Sequence, residues 1–426
     1  MPKVLISDKL STKAADIFRE RGLDVDFRPG IRDDELIAAI KDADGLAIRS
    51  ATTVTAELMD AAESLKVVGR AGIGVDNVDV NAATQRGVVV MNTPFGNSVT
   101  TAEHAIAMMM SLARQLPAAN ASTHAGKWEK SAFMGMELAS KTLGVIGCGN
   151  IGSIVIDRAQ GLKMRVVVYD PFLSPEKATE LGVEKVDFDD LLRRADVVTI
   201  HTPLTDGTRD LLDATAFAKM KDGVRIINCA RGGILVENDL RDAILAGKVA
   251  GAAIDVFADE PAHENVLFGM AEVIATPHLG AATSEAQENV ALQIADQMSD
   301  FLLSGAVSNA INMPSVTAEE APRLKPYMSL AEKLGSFAGQ LTESGLKTVT
   351  IEFHGHVATL NTRPLVASAI AGLLRPQLDN VNMVNATAVA RDRSIDIIET
   401  KQEQPGDYET MIRVNVTTER RDRSVS

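Results

Sequence analysis

One short segment constrains this chain more than any other: Gly147-Cys148-Gly149-Asn150-Ile151-Gly152. It closes the apolar run Thr142-Leu143-Gly144-Val145-Ile146, and a helical stretch then leads to Arg165-Val166-Val167-Val168-Tyr169-Asp170. A strand, a glycine turn, a helix and a second strand ending in an acid make a dinucleotide-binding unit. The glycines let the backbone turn sharply and approach a pyrophosphate, while the first amides of the helix receive its charge. Asp170 falls about 20 residues beyond the first glycine, where a carboxylate accepts hydrogen bonds from the adenosine ribose and repels a 2′-phosphate. The expected cofactor is therefore NAD, not NADP. Glycine clusters also mark ordinary turns, and it is the complete strand-helix-strand-acid setting that favours the nucleotide.

Upstream, Val4–Ile6, Leu23–Phe27, Gly45–Ile48, Lys66–Gly69 and Val88–Met91 are short apolar runs separated by amphipathic stretches. Such alternation predicts a parallel sheet with helices on both faces. Residues 142 to about 280 repeat the pattern around the glycine turn, so two α/β units with a cleft between them are expected. Thr100 and Glu103 predict a capping box for an apolar helix over Ala105–Ala113, and Ser284 with Gln287 predicts the start of a helix that stops at Gly305. Past Met313, Pro314, Pro322 and Pro326 punctuate a stretch that reads as a linker. A smaller third domain follows, with alternating strands at Lys347–His354 and Met411–Val416 and a helix from Pro364 to Leu374. The close, Arg423-Ser424-Val425-Ser426, carries no turn or capping signal, which predicts a domain cut short.

Composition narrows the partners. A 46% hydrophobic fraction over 426 residues supplies cores for several domains, and a net charge of −14 argues against nucleic acid, which demands a basic face. Arg420-Arg421-Asp422-Arg423 reads as a solvated terminus. No secretory signal or membrane span is indicated, so cytoplasmic residence is expected by default. Cys148 and Cys229 cannot make a disulfide framework, and no Cys/His cluster has metal-ligand spacing, so no metal is expected.

Ligands of open α/β sheets bind beyond the carboxyl ends of the strands, which makes the residues just after each apolar run the ones to weigh. These include Ser7-Asp8, Arg49-Ser50, Arg70, Asp170, His201-Thr202, Cys229-Ala230-Arg231, Asp255 and Pro277-His278-Leu279-Gly280-Ala281. Alcohol oxidation by NAD needs a neutral imidazole to take the hydroxyl proton, and His278 is the best candidate. Glu260 is placed to meet the far ring nitrogen, and Arg231 to hold a substrate carboxylate through two parallel hydrogen bonds. Each also has a plainer role. A loop histidine is commonly a packing residue, Asp-Glu-Pro is a common exposed turn, and Arg231 could cap the segment after it. His201 and His104 fit packing or backbone roles better than catalysis, and His124, His263, His354 and His356 have no evident partner.

Three segments now converge. Asn228-Cys229-Ala230-Arg231-Gly232-Gly233, Asp255-Val256-Phe257-Ala258-Asp259-Glu260-Pro261 and Thr276-Pro277-His278-Leu279-Gly280-Ala281 resemble the signatures of the NAD-dependent D-isomer-specific 2-hydroxyacid dehydrogenases. Ile48–Thr52, Gly69–Asp79, Met91–Pro94 and Gly96–Ser98 are similar to a branch acting on a phosphorylated substrate. The resemblance implies an α/β fold: a Rossmann-type NAD domain plus a flavodoxin-like parallel-sheet substrate domain, with a smaller α+β C-terminal domain. It implies a substrate domain over 1–97 completed by 284–312, an NAD domain over 98–283 and a truncated intervening domain over 313–426. Arg231, Glu260 and His278 become the catalytic set. Gly147, Gly149, Asn150, Ile151, Gly152, Asp170, Thr202, Cys229, Ala230, Asp255, Gly280 and Ala281 are implied to line the NAD site, and Arg49, Ser50 and Asn97 to bind a small anionic 2-hydroxy acid.

The implied reaction is oxidation of D-3-phosphoglycerate to 3-phosphohydroxypyruvate, the first step of the phosphorylated route to serine. Alternatives are a glyoxylate or hydroxypyruvate reductase and, from another class, an NAD-sensing corepressor-like protein without turnover. A homodimer or homotetramer is implied, with the loop around Trp128 reaching the neighbouring subunit and Lys127 or Lys130 meeting the substrate phosphate there. Two departures stand out: Phe95 occupies a position where a polar residue is common, and the serine-sensing ACT domain of the long forms has no counterpart.

Overall fold

The computed structural model describes residues 1–317, 319–342, 345–378, 380–404 and 408–426. The chain divides into two compact units, Met1–Pro94 with Glu288–Ser426, and Phe95–Gln287. In the first unit, β1 (Lys3–Ile6), β2 (Asp24–Phe27), β3 (Gly45–Ile48), β4 (Val67–Arg70) and β5 (Val89–Asn92) form a parallel sheet in the order β2-β1-β3-β4-β5. This is the flavodoxin-like order. Leu5, Leu46, Ile48, Val67 and Val68 are wholly buried, which is why β1, β3 and β4 are short apolar runs without alternation, whereas the edge strand β2, Asp24-Val25-Asp26-Phe27, alternates and is partly exposed. Beyond Glu288, the helix Ser284–Ser304 lays Val290, Ile294 and Met298 on this sheet. Gly69 permits the approach, because a Cβ there would come within 2.8 Å of Ile294 Cγ1.

In the second unit, β6 (Thr142–Ile146), β7 (Arg165–Tyr169), β8 (Glu184–Lys185), β9 (Val197–Ile200), β10 (Val224–Asn228), β11 (Val249–Ile254) and β12 (Val273–Ala275) are also parallel. Their order is β12-β11-β10-β9-β6-β7-β8, so the winding reverses between β6 and β9. That reversal opens the strand ends to a ligand. The helix Ser98–Arg114 buries Met108 and Met109 among Leu143, Val145 and Ile156, whereas Met110 remains 40% exposed.

Two predicted caps are corrected. The first helix starts at Ser98 after Asn97, whose φ of −131° ends the preceding turn, so Thr100 and Glu103 lie inside it. The later helix is capped by Thr283, whose hydroxyl accepts from Ala286 N–H at 3.2 Å, one residue before the predicted Ser284.

The third sheet belongs to the first unit. β13 (Leu346–Gly355) pairs in parallel with β14 (Asp396–Gln402) and antiparallel with β15 (Thr410–Thr418), which pairs with β16 (Asp422–Val425). Val349, Ile351 and Phe353 alternate inward and pack with Leu324, Leu365, Ile370 and Leu373 from helices Ala321–Gln340 and Arg363–Leu374. Pro322 and Pro326, expected in a linker, sit in the first of these helices. Pro322 is in the first turn, where no amide hydrogen needs a helical partner. Arg423, expected in a solvated terminus, pairs with Val416 in β16.

Candidate active site

The three fingerprint glycines do three different things. Gly147 adopts φ +93°, and a Cβ there would sit 2.5 Å from the His201 carbonyl oxygen. At Gly152 a Cβ would run into the Gly147 carbonyl, while Gly149 has nothing within 4 Å of that position. The turn is therefore tight against β9 and open at Gly149, the N-cap of the helix Asn150–Gly161. The helix-start N–H groups face the open side with the positive end of the helix dipole. Asp170, at the end of β7, accepts from Cys148 N–H on Oδ2 and Phe172 N–H on Oδ1, both at 2.7 Å. Two fixed donors orient the carboxylate and leave lone pairs for a ribose diol. The cradle and the oriented acid suit a dinucleotide.

His201 follows β9 and pairs through Nε2 with Thr199 Oγ1 at 2.8 Å; burial pushes its pKa down to about 4, so the ring is neutral near pH 7. Thr202 comes next along the rim. Burial raises both the Cys148 and Cys229 thiols, with Asp170 and Asp255 respectively adding to the effect, so neither is an activated nucleophile.

Asp255, directly after β11, is fully buried and organises the loop carrying His278. Its Oδ1 accepts from Thr276 Oγ1 at 2.6 Å and Leu279 N–H at 2.7 Å, and its Oδ2 from Gly280 N–H at 2.8 Å. His104 Nε2 lies 3.3 Å from Oδ1. Burial alone would raise the Asp255 pKa, but the hydrogen bonds from His104, Thr276 and Leu279 outweigh it and hold the carboxyl below its ordinary value. His278 takes a left-handed backbone, φ +55°, fixed by its N–H bond to the Asp255 carbonyl at 2.9 Å.

His278 Nδ1 meets Glu260 Oε2 at 2.6 Å, and Glu260 Oε1 accepts from Phe257 N–H at 2.9 Å. Desolvation opposes the Glu260 charge, yet the bonds from His278 and Phe257 and the charges of His278 and Arg231 leave its pKa lowered. An ionised carboxylate only accepts, so Nδ1 carries the proton and Nε2 is left for chemistry. The His278 side chain is 47% exposed, which keeps that nitrogen accessible.

Arg231 sits in the loop after β10, whose shape depends on Asn228. That side chain donates to the Arg231 carbonyl at 2.9 Å and accepts from Ala230 N–H at 3.0 Å. Gly232 lets the loop pass the Phe257 carbonyl, which a Cβ would strike. Glu237 accepts from Ala258 N–H at 2.8 Å and from Asn265 Nδ2 at 2.7 Å, pinning the segment that presents Glu260. Asn228 stands in one of the signature segments, but its role as a loop tie, the role of Glu237 and the pairing of His104 with Asp255 are not legible in the sequence. His104, Cys229 and Asp255 do bring three metal-binding atom types within 4.8 Å of one another, a grouping their spacing along the chain conceals.

Among the substrate candidates, Asn97 is 8% exposed and its Oδ1 is buried without a hydrogen-bond partner among the described residues. Arg49 and Ser50 lie in the other unit, just past β3. Lys127, Trp128 and Lys130 are exposed. No helix among the described residues is long and apolar enough to cross a membrane.

Residues 106–280 match the NAD-binding domain of the D-isomer specific 2-hydroxyacid dehydrogenases, and residues 323–426 match the D-3-phosphoglycerate dehydrogenase intervening domain. The fold and cofactor site are thus those of an NAD-dependent 2-hydroxyacid dehydrogenase, and NAD is its cofactor. A crystal structure of a glyoxylate reductase from Paecilomyes thermophila superposes with a TM-score of 0.67 at 28% identity, covering 73% of this chain and 98% of that one. D-3-phosphoglycerate dehydrogenase of Archaeoglobus fulgidus is 45% identical over 97% of this chain and 79% of its own length. That of Synechocystis is 45% identical over 98% and 76%. The chain belongs to the D-3-phosphoglycerate dehydrogenase family.

Proposed function

We propose that the chain oxidises D-3-phosphoglycerate to 3-phosphohydroxypyruvate, with His278, Glu260 and Arg231 as the catalytic set. The observation that carries this reading is the 2.6 Å bond between His278 Nδ1 and Glu260 Oε2, which leaves Nε2 to act as a base. His278 Nε2 takes the C2 hydroxyl proton while NAD, when bound, accepts the hydride. Glu260 balances the imidazolium that forms. Arg231 grips the substrate carboxylate and fixes which face of C2 is presented.

Gly147, Gly149, Asn150, Ile151 and Gly152 would hold the pyrophosphate and Asp170 the ribose. Thr202, Cys229, Ala230, Asp255, Gly280 and Ala281 would line the remaining rim, with Asp255 acting mainly by shaping the loop around His278. Arg49, Ser50 and Asn97 would bind the anionic substrate. The proposed division is a substrate domain over 1–97 with 284–312, an NAD domain over 98–283 and an intervening domain over 313–426.

A homodimer or homotetramer, without nucleic acid or membrane, is proposed in a cytoplasmic setting. Exposure of Phe95, Leu116, Trp128 and Met134 within one stretch of the second unit supports self-association. A glyoxylate or hydroxypyruvate reductase would use the same catalytic residues; the match of residues 323–426 to the phosphoglycerate dehydrogenase intervening domain favours the phosphorylated substrate.

The test is NADH formation at mildly alkaline pH with D-3-phosphoglycerate against D-glycerate. Preference for the phosphorylated acid is expected. Preference for the unphosphorylated acid would favour the reductase, and NAD binding without turnover on either would favour a sensor. Asp170→Ala is expected to weaken NAD binding about tenfold and narrow the preference over NADP, read by fluorescence titration. An unchanged Kd would remove Asp170 from the ribose.

A further inference from the structure

The turn after β3 exposes Ser50 and leaves Arg49 half-buried, while its backbone is held from both sides by side chains with no assigned role. Asp8, at the end of β1, is 2% exposed. Its Oδ2 accepts from Arg49 N–H at 2.8 Å, Ala51 N–H at 3.1 Å and Thr52 N–H at 3.1 Å, and its Oδ1 from Thr52 Oγ1 at 2.6 Å. From the other side, Asn77 Nδ2 donates to the Arg49 carbonyl at 2.7 Å and the Thr52 carbonyl at 2.6 Å. Asn77 is itself anchored, because its carbonyl accepts from Val54 N–H at 2.8 Å. Thr52, 1% exposed, completes the anchor with Ser7 Oγ at 2.9 Å and Arg32 Nη1 at 3.1 Å.

We propose that Asp8 and Asn77 are positioning residues that clamp the Arg49–Thr52 turn and thereby set the affinity of the Arg49 guanidinium for an anionic substrate. One buried carboxylate gathers three of the turn's N–H groups and one amide gathers two of its carbonyls. The N–H groups of Arg49, Ala51 and Thr52 and the carbonyls of Arg49 and Thr52 are thus held from within, which fixes the backbone on which the Arg49 side chain is carried. Holding the turn before substrate arrives removes the ordering cost from the binding step. The carboxylate has a second effect: burial works against the Arg49 charge, and the nearby Asp8 charge supports it.

This inference rests on Arg49 being a substrate contact, and the experiment separates the two. Asp8→Asn and Asn77→Ala are each expected to raise the KM for D-3-phosphoglycerate about tenfold, with kcat changed less than about threefold and the NAD Kd unchanged. In an Arg49→Gln background, Asp8→Asn should add less than about twofold, because Asp8 acts through Arg49. An undiminished Asp8→Asn effect in that background would overturn the clamp, as would a tenfold loss in kcat or NAD affinity from Asn77→Ala. If Asp8→Asn fails to fold, Asn77→Ala alone and in the Arg49→Gln background decides by the same criteria. Should Arg49→Gln itself leave KM unchanged, Arg49 is no substrate contact and the clamp's proposed purpose falls with it. A raised KM in Arg49→Gln with no change in either clamp variant leaves Arg49 standing and overturns the clamp alone.

Discussion

His278→Ala is expected to lower kcat about a thousandfold while NADH still binds with its original affinity. The size follows from the number of tasks lost: the proton acceptor, the partner of Glu260 and the imidazolium that would protonate the alkoxide in reverse all disappear together. Backbone conformation supplies the control, because His278 sits at φ +55°, where alanine is disfavoured and asparagine is tolerated. His278→Asn should therefore keep the loop that Asp255 ties down and still lose the rate. Recovery of more than about a tenth of the activity in the asparagine variant would mean that loop shape, not proton transfer, was being measured. Glu260→Gln offers a graded comparison. It can retain the Phe257 contact but removes the charge that selects the Nδ1–H tautomer, and a loss of about a hundredfold is expected. A Glu260→Gln enzyme as fast as the native chain would take the carboxylate out of the catalytic set.

Local patterns in the sequence carried the sheets well and the side-chain scaffold poorly. Runs such as Val67-Val68 and Val166-Val167-Val168 are β-branched, short and bounded by turns, so strand identity is a property of a few adjacent residues. Gly147 and Gly152 are legible for the same reason, since their need comes from the backbone itself. Helix starts were less visible. Thr100 and Ser284 have capping chemistry, but Asn97 and Thr283 hold the positions where the preceding chain turns, and that is decided by tertiary packing. Pro326 inside a helix shows the same override of local preference. The supporting shell was least legible. Asp8 with Thr52, Asn77 with Arg49, and His104 with Asp255 join residues far apart in the chain, and a buried acid reads in sequence as one more polar residue at a strand end. The strand-end rule did point to Asp8 and Asp255, yet it could not say that each would spend its lone pairs on its own fold's loops.

Arg231→Ala is expected to lower kcat/KM about a thousandfold, and Arg231→Lys about a hundredfold, with NAD affinity unchanged in both. A guanidinium presents two parallel donors to a carboxylate, whereas an ammonium is a single charge on a flexible stem that cannot fix the rotation of the substrate about its C1–C2 bond. Lysine should therefore recover much of the electrostatic attraction and little of the orientation, so that its defect lies mainly in kcat and the alanine defect in both constants. The fixed loop makes this separation possible. The Arg231 guanidinium also donates to the Ala230 carbonyl at 2.6 Å, a bond that alanine gives up. Asn228 nevertheless holds the Arg231 carbonyl and the Ala230 amide irrespective of what side chain residue 231 carries, so the loop backbone keeps these two ties in both variants. The alternative, that Arg231 merely caps the following segment, makes a different forecast: thermal stability would drop with alanine, and kcat/KM would change by less than about tenfold in either variant. A full-sized loss with an unshifted melting temperature places the guanidinium on the substrate; a tenfold-or-smaller loss with a lowered melting temperature removes it.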